Sequence, residues 1–231
     1  GRDLSKVTGD ANKATSHMVE TMGLRGVQWG NSVTDEERKH HAAKSVEALT
    51  DLADTLGLHP KDIALDGKLG LAIGARGRGG AVAHYEPSTQ VVNLTRKNGV
   101  GSLAHEWAHG FDHYLSGFKK GDFKDSPRMM SDRSKLTHSI TSPEGHVTEV
   151  DQDTADRHLS IRSKYKVEVL KDSGIRKAFQ NLASVQSKYR ERLSSHLRAL
   201  VKEGWMTHEK AKDYWQSERE IFARTFERYI Q

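Results

Sequence analysis

Three residues in this 231-residue chain stand at a spacing that could do chemistry: His105, Glu106 and His109. On a helix, side chains four positions apart share a face, so the two imidazoles can point at one zinc ion. Glu106 then falls beside the ion without binding it. From there it can take a proton from a zinc-bound water and pass it to a leaving group.

The surroundings predict that helix. An apolar stretch ends at Lys97-Asn98-Gly99, and Ser102 stands as an N-cap before a new apolar run. Leu103, Trp107, Phe111 and Leu115 offer core faces, while the two histidines share another. The competing reading is plain: thirteen histidines make a chance His-Glu-x-x-His pair on a metal-free helix surface conceivable.

Two histidines and a water leave one protein ligand to find. The arrangement with a glycine and a third histidine downstream fails, because Asp112 and Leu115 occupy those two places. His113 is one turn beyond His109, but a helix diverges from a single ion over that distance. His113 is therefore expected beside the ligands, as is Asp112, three beyond His109, whose carboxylate could hold a ligand histidine's other nitrogen. The remaining source is a distant carboxylate. Within Ser217–Glu227, Glu220 has a small residue at Ala223 that would let two helices approach. Ser217 and Glu220 also stand in capping-box spacing, so Glu220 reads equally as a ligand or as a helix cap.

The elements that must position these groups follow from pattern. A helix is expected near Asp10–Met22. Thr34 and Glu37 form a capping box opening a helix that runs to about Leu56 and stops at Gly57. His40 and His41 lie on it as a solvated pair. Short strands are expected at Leu69–Ile73, Ala81–Tyr85 and Gln90–Thr95, the first two joined by a glycine-rich turn carrying Arg76 and Arg78. That turn lacks the Gly-Lys-Ser/Thr of a phosphate loop, and its arginines read as solvent-facing. One of these strands could offer backbone pairing to an extended peptide. His84 reads as a structural strand-end histidine. Residues 116–154 form a polar insertion, either a lid or a mobile segment, with His138 and His146 as minor metal candidates. Three helices close the chain at Thr154–Leu170, Ser173–Lys202 and Thr207–Tyr229, with Ala178, Leu182, Val185, Tyr189, Leu193, Leu197 and Leu200 as one buried stripe.

Composition sets limits. The length suits one domain, 1–231, with 1–30 as an N-terminal extension. With no cysteine, disulfides and thiolate-ligated zinc are excluded. No apolar run has transmembrane length and no export signal opens the chain, which predicts a cytoplasmic protein without membrane contact. The start at Gly1 suggests a piece of a longer polypeptide. A net charge of +5 permits a nucleic-acid partner without requiring one.

Taken together, Ala72–Gly80, Ala83-His84-Tyr85-Glu86-Pro87, Val92-Asn93-Leu94-Thr95 and Gly101–His109 resemble the large polyvalent protein-associated domain (LPD1 type) of phages and conjugative elements, a metallopeptidase-like family. The resemblance covers roughly residues 25–116 and 214–230. Glu220-Ile-Phe-Ala-Arg-Thr-Phe is also similar to the ligand helix of glutamate-type zincins. It implies an α+β, zincin-like fold: a small twisted sheet, then an active-site helix, then a mainly helical C-terminal half. It further implies Glu220 as third zinc ligand and Tyr214 as oxyanion donor; His113 and Arg224 are the alternative donors that the chain itself offers. The expected function is a zinc endopeptidase acting on protein or peptide substrates, with self-processing of a polyprotein as a variant. Against it stand a catalytically inactive zinc-binding module contacting DNA or protein, and a hydrolase of a non-peptide amide.

Overall fold

The computed structural model describes residues 3–75, 83–96, 102–117, 129–160, 164–171, 174–211 and 217–230. The chain is mixed α+β, and its contacts divide it into two units. One comprises residues 1–127 with 222–231, the other 128–221.

The first unit begins with two short helices, α1 (Ser5–Thr8) and α2 (Ala11–Ser16), the second running on as a π-helical turn, His17–Thr21. Asp10 caps α2 by accepting from the Lys13 amide at 2.8 Å. The stretch expected as an N-terminal extension then supplies β1 (Gly26–Trp29) and buries Met18, Met22 and Leu24 in the core. Helix α3 (Asp35–Leu56) starts at the full Thr34–Glu37 capping box and ends at Gly57, which takes the left-handed conformation that a side chain would resist.

Strands β2 (Gly70–Ile73) and β4 (Val91–Leu94) lie within the expected ranges, and β3 (Ala83–Glu86) overlaps its expected range and runs one residue beyond it. The sheet order is β1-β2-β4-β3, with β1, β2 and β4 parallel and β3 antiparallel. The ladder closes at its carboxyl end by extreme backbone proximity. Gly30 donates to the Ile73 carbonyl at 2.9 Å, and a Cβ on Gly30 would sit 2.0 Å from the Gly74 carbonyl oxygen.

Helix α4 (Leu103–Leu115) packs on this sheet. At 100° per residue its sequence sorts into three faces. Leu103, Trp107 and Phe111 turn to the core, where Trp107 donates to the Ile63 carbonyl at 2.8 Å and stacks on Phe111 at 5.1 Å. Glu106, Gly110 and His113 turn to β3. Gly110 permits the close approach, since a Cβ there would meet the Tyr85 ring at 3.3 Å. The third face carries His105, His109 and Asp112. Ser102 stands at the N-cap, but its side chain makes no capping bond because its backbone is not in the extended conformation that such a bond needs.

The second unit contains α5 (Met130–Arg133), β5 (His138–Thr141), β6 (Val147–Val150), α6 (Gln152–Ser160), β7 (Lys166–Val169), α7 (Gly174–Val185), α8 (Ser187–Lys202) and α9 (His208–Lys210). Its sheet is antiparallel in the order β6-β5-β7, and Ile140, Val150 and Ala155 form a small core with Val167 against it. Arg133 grips Glu149 with two nitrogens, Nε at 3.0 Å and Nη2 at 2.6 Å. Part of the expected polar insertion is thus ordered secondary structure; residues 118–128 lie outside the description.

Two helical expectations are corrected here. The helix predicted over Thr154–Leu170 stops at Ser160, and Lys166-Val-Glu-Val pairs with β5, as its alternation and β-branching favour. The predicted Ser173–Lys202 helix is interrupted at Gln186. Of its predicted stripe, Leu197 is buried and Leu182, Leu193 and Leu200 are half-buried, whereas Ala178 is exposed and Arg176 and Phe179, outside the stripe, are buried. The last helix, α10 (Glu218–Ile230), is continuous across the division between the units and belongs to the first from Phe222 onward.

Candidate metal centre

His105 and His109 are one turn apart on α4, and their rings meet edge to face with centroids 4.9 Å apart. Trp107, buried in the core on the far side of the helix with the half-buried Phe111 stacked on it, fixes which way these rings must point. Helix α10 brings the third group. On it Glu220, Ala223, Arg224 and Glu227 share a face, and Ala223 is wholly buried, as close helix approach requires. One ligand atom each from His105, His109 and Glu220 all lie within 4.8 Å of one another. It is the one such group of three among the described residues.

This donor set suits a divalent zinc-class ion: two imidazoles and one carboxylate, with room for a fourth, exchangeable position. Its burial suits one as well, since the Glu220 side chain is 1 % exposed, and ionised carboxylates are rarely buried so deeply unless a cation or hydrogen bonds compensate them. The capping role also has a trace. The Glu220 amide donates to the Ser217 hydroxyl at 3.4 Å, so the backbone of Glu220 serves the helix start while its side chain joins the histidines.

Glu106 is buried on the neighbouring face, where its Oε2 accepts the backbone N–H of Tyr85 at 2.7 Å. An edge strand thus dictates the carboxylate's orientation. His113 is buried too, and its Nδ1 is 3.0 Å from the Tyr85 hydroxyl. Burial pushes the Tyr85 phenol well above its usual range. His113 is outside the group of three, as its angular offset on α4 demands. Asp112 is fully buried on the ligand face.

Other expectations fall away from the site. His84 is exposed on β3. His40 is exposed, but His41 is buried with Nε2 2.6 Å from the Arg96 carbonyl, which corrects the solvated-pair reading. His138 is 2.9 Å from the Thr137 hydroxyl, and His146 is exposed. Tyr214, Arg76 and Arg78 lie outside the described residues. One group was missed from sequence: Glu227, whose Oε2 is 3.4 Å from His105 Nδ1. Its seven-residue spacing from Glu220, two helical turns, was the available signal.

Behind α4, on the face opposite the histidines, lies a separate cavity of about 510 Å³ bordered by Leu58, Leu65, Phe111 and Tyr114. No described helix is long and apolar enough to cross a membrane. Comparison with family models, with curated proteins and with solved structures found no match to this chain.

Proposed function

We propose that this chain is a zinc-dependent metallopeptidase of the glutamate-zincin kind, related to the polyvalent-protein domains of phages and conjugative elements. The convergence of His105, His109 and Glu220 within 4.8 Å carries the reading. When bound, zinc supplies Lewis acidity, acidifying a water and polarising the scissile carbonyl.

The chain's own residues do the rest. Glu106, steadied through Oε2 by the Tyr85 amide, takes the water's proton at Oε1 and delivers it to the departing amine. Asp112, buried on the ligand face, steadies an imidazole from within α4. Tyr214 is the candidate donor to the oxyanion, with Arg224 on α10 as its substitute.

Strand β3 supports a peptide as substrate. It is an outer strand of its sheet, paired on one side with β4. Tyr85 turns its N–H away from β4 toward Glu106, and in an antiparallel ladder its carbonyl faces the same outer edge. An extended chain laid along that edge would pass directly by the base.

The test combines metal analysis with cleavage of a peptide library by the purified protein. One equivalent of zinc and chelator-sensitive cleavage are expected. Zinc without cleavage, across the library and host proteins, would favour a binding module instead.

A further inference from the structure

We infer that Glu227 is the positioning residue for His105, setting which of its ring nitrogens meets the metal. The inference rests on the metal-centre reading above. The observation is geometric: Glu227 Oε2 lies 3.4 Å from His105 Nδ1, with the histidine 11 % and the glutamate 27 % exposed at their side chains. Both groups are largely withdrawn from water, so the carboxylate's attraction for an N–H is weakly screened. The neutral imidazole has one proton to place, and the carboxylate draws it to Nδ1. Nε2 is then the unprotonated nitrogen, the one available to a metal. At 3.4 Å the contact is at the outer limit of a hydrogen bond, and it has room to tighten when the ring is drawn into a coordination sphere.

The placement of Glu227 also explains why one helix can serve the centre twice. Glu220 and Glu227 are seven residues apart, two turns of α10, and lie within about 20° of one another around it. The first contributes a ligand atom and the second grips a ligand from behind. Between them Ala223 keeps the face low, and Phe226 anchors the helix on Trp107 with ring centroids 5.5 Å apart. Anchoring at Trp107 matters, because that residue lies between His105 and His109 on α4. The register of α10 against the ligand helix is thereby fixed within the same turn.

Glu227→Ala and Glu227→Gln separate positioning from mere structure. The first readout is zinc affinity, by competition with a chromophoric chelator. The second needs no metal: long-range proton–nitrogen NMR of the zinc-free protein reports which His105 nitrogen carries the hydrogen. The wild type is expected to show the proton on Nδ1. Glu227→Ala should shift that population toward Nε2 and weaken zinc binding about 10–100-fold. Glu227→Gln, which can still accept through its amide oxygen, should recover most of both.

Unchanged tautomer and unchanged affinity in Glu227→Ala would overturn the proposal. A Gln variant that keeps the wild-type tautomer yet binds zinc as weakly as Ala would also overturn it, because the lost affinity would then not follow from where the proton sits. If instead wild type and His109→Ala bind zinc equally, the metal-centre reading fails, while the NMR result still decides what Glu227 does to His105.

Discussion

The backbone N–H of Tyr85 donates to Glu106 Oε2 across 2.7 Å, tying an edge strand to the glutamate that follows His105 on α4. The donor is main chain, so no replacement at Tyr85 other than proline can delete it. The acceptor can be changed. Glu106→Gln keeps the shape of the side chain and removes its basicity. The variant should hold zinc with near wild-type stoichiometry and lose peptide hydrolysis by about 10²–10⁴-fold, the usual contribution of a positioned base. Retained turnover would exclude Glu106 from that role.

Removing the metal has a different signature. A bound ion stabilises only the folded chain, by about 4 kcal/mol when free zinc exceeds its dissociation constant a thousandfold. Chelation should therefore lower the wild-type melting temperature, and zinc should restore it. His109→Ala and Glu220→Ala should melt at the same temperature with or without chelator. A chelator effect surviving in both would place the ion elsewhere.

The start of α3 predicts a pH dependence. The Thr34 amide donates to Glu37 Oε2 at 2.9 Å and holds that carboxyl below its usual range. A carboxyl whose folded value is lowered binds protons less well than in the unfolded chain. Its contribution is present above the ordinary glutamate value and disappears as pH falls through the lowered one. The stability gap between wild type and Glu37→Gln, measured by urea unfolding, should close on acidification across that window. Thr34→Ala, which removes the reciprocal cap, should cost about 1 kcal/mol at neutral pH.

Gly30→Ala tests the join of β1 to β2. Its new Cβ would lie 2.0 Å from the Gly74 carbonyl oxygen, a backbone atom that cannot rotate aside. A loss of about 3 kcal/mol or more is expected. A variant as stable as wild type would show that the two strand ends can part.

These elements differ in how readable they were. The α3 capping box, the left-handed Gly57 and the His-Glu-x-x-His helix are local, and each could be read from a handful of neighbouring residues. β1 could not, because Gly26-Val-Gln-Trp is too short to show a period, and its pairing with Gly70–Ile73 is made across the length of α3. β7 was hidden for a similar reason: its valines suit a helix face until β5 offers a ladder. Pattern alone left Glu220 balanced between ligand and cap, and resemblance favoured the ligand. In the folded chain the side chain gathers with the two histidines, while the amide donates to Ser217 at the helix start. Glu227 was passed over because its partner sits on the remote α4, whereas Asp112 was conspicuous as a neighbour of the histidines.

The wide interval between His109 and Glu220 has a polymer consequence. An ion gripped by both would act as a removable crosslink closing a loop on the order of a hundred residues. Closure entropy grows only logarithmically, so even doubling that loop would cost about 0.6 kcal/mol. Thermodynamically, then, the intervening segment is free to be lengthened, trimmed or exchanged, provided the chain still returns a carboxylate to the same two imidazoles.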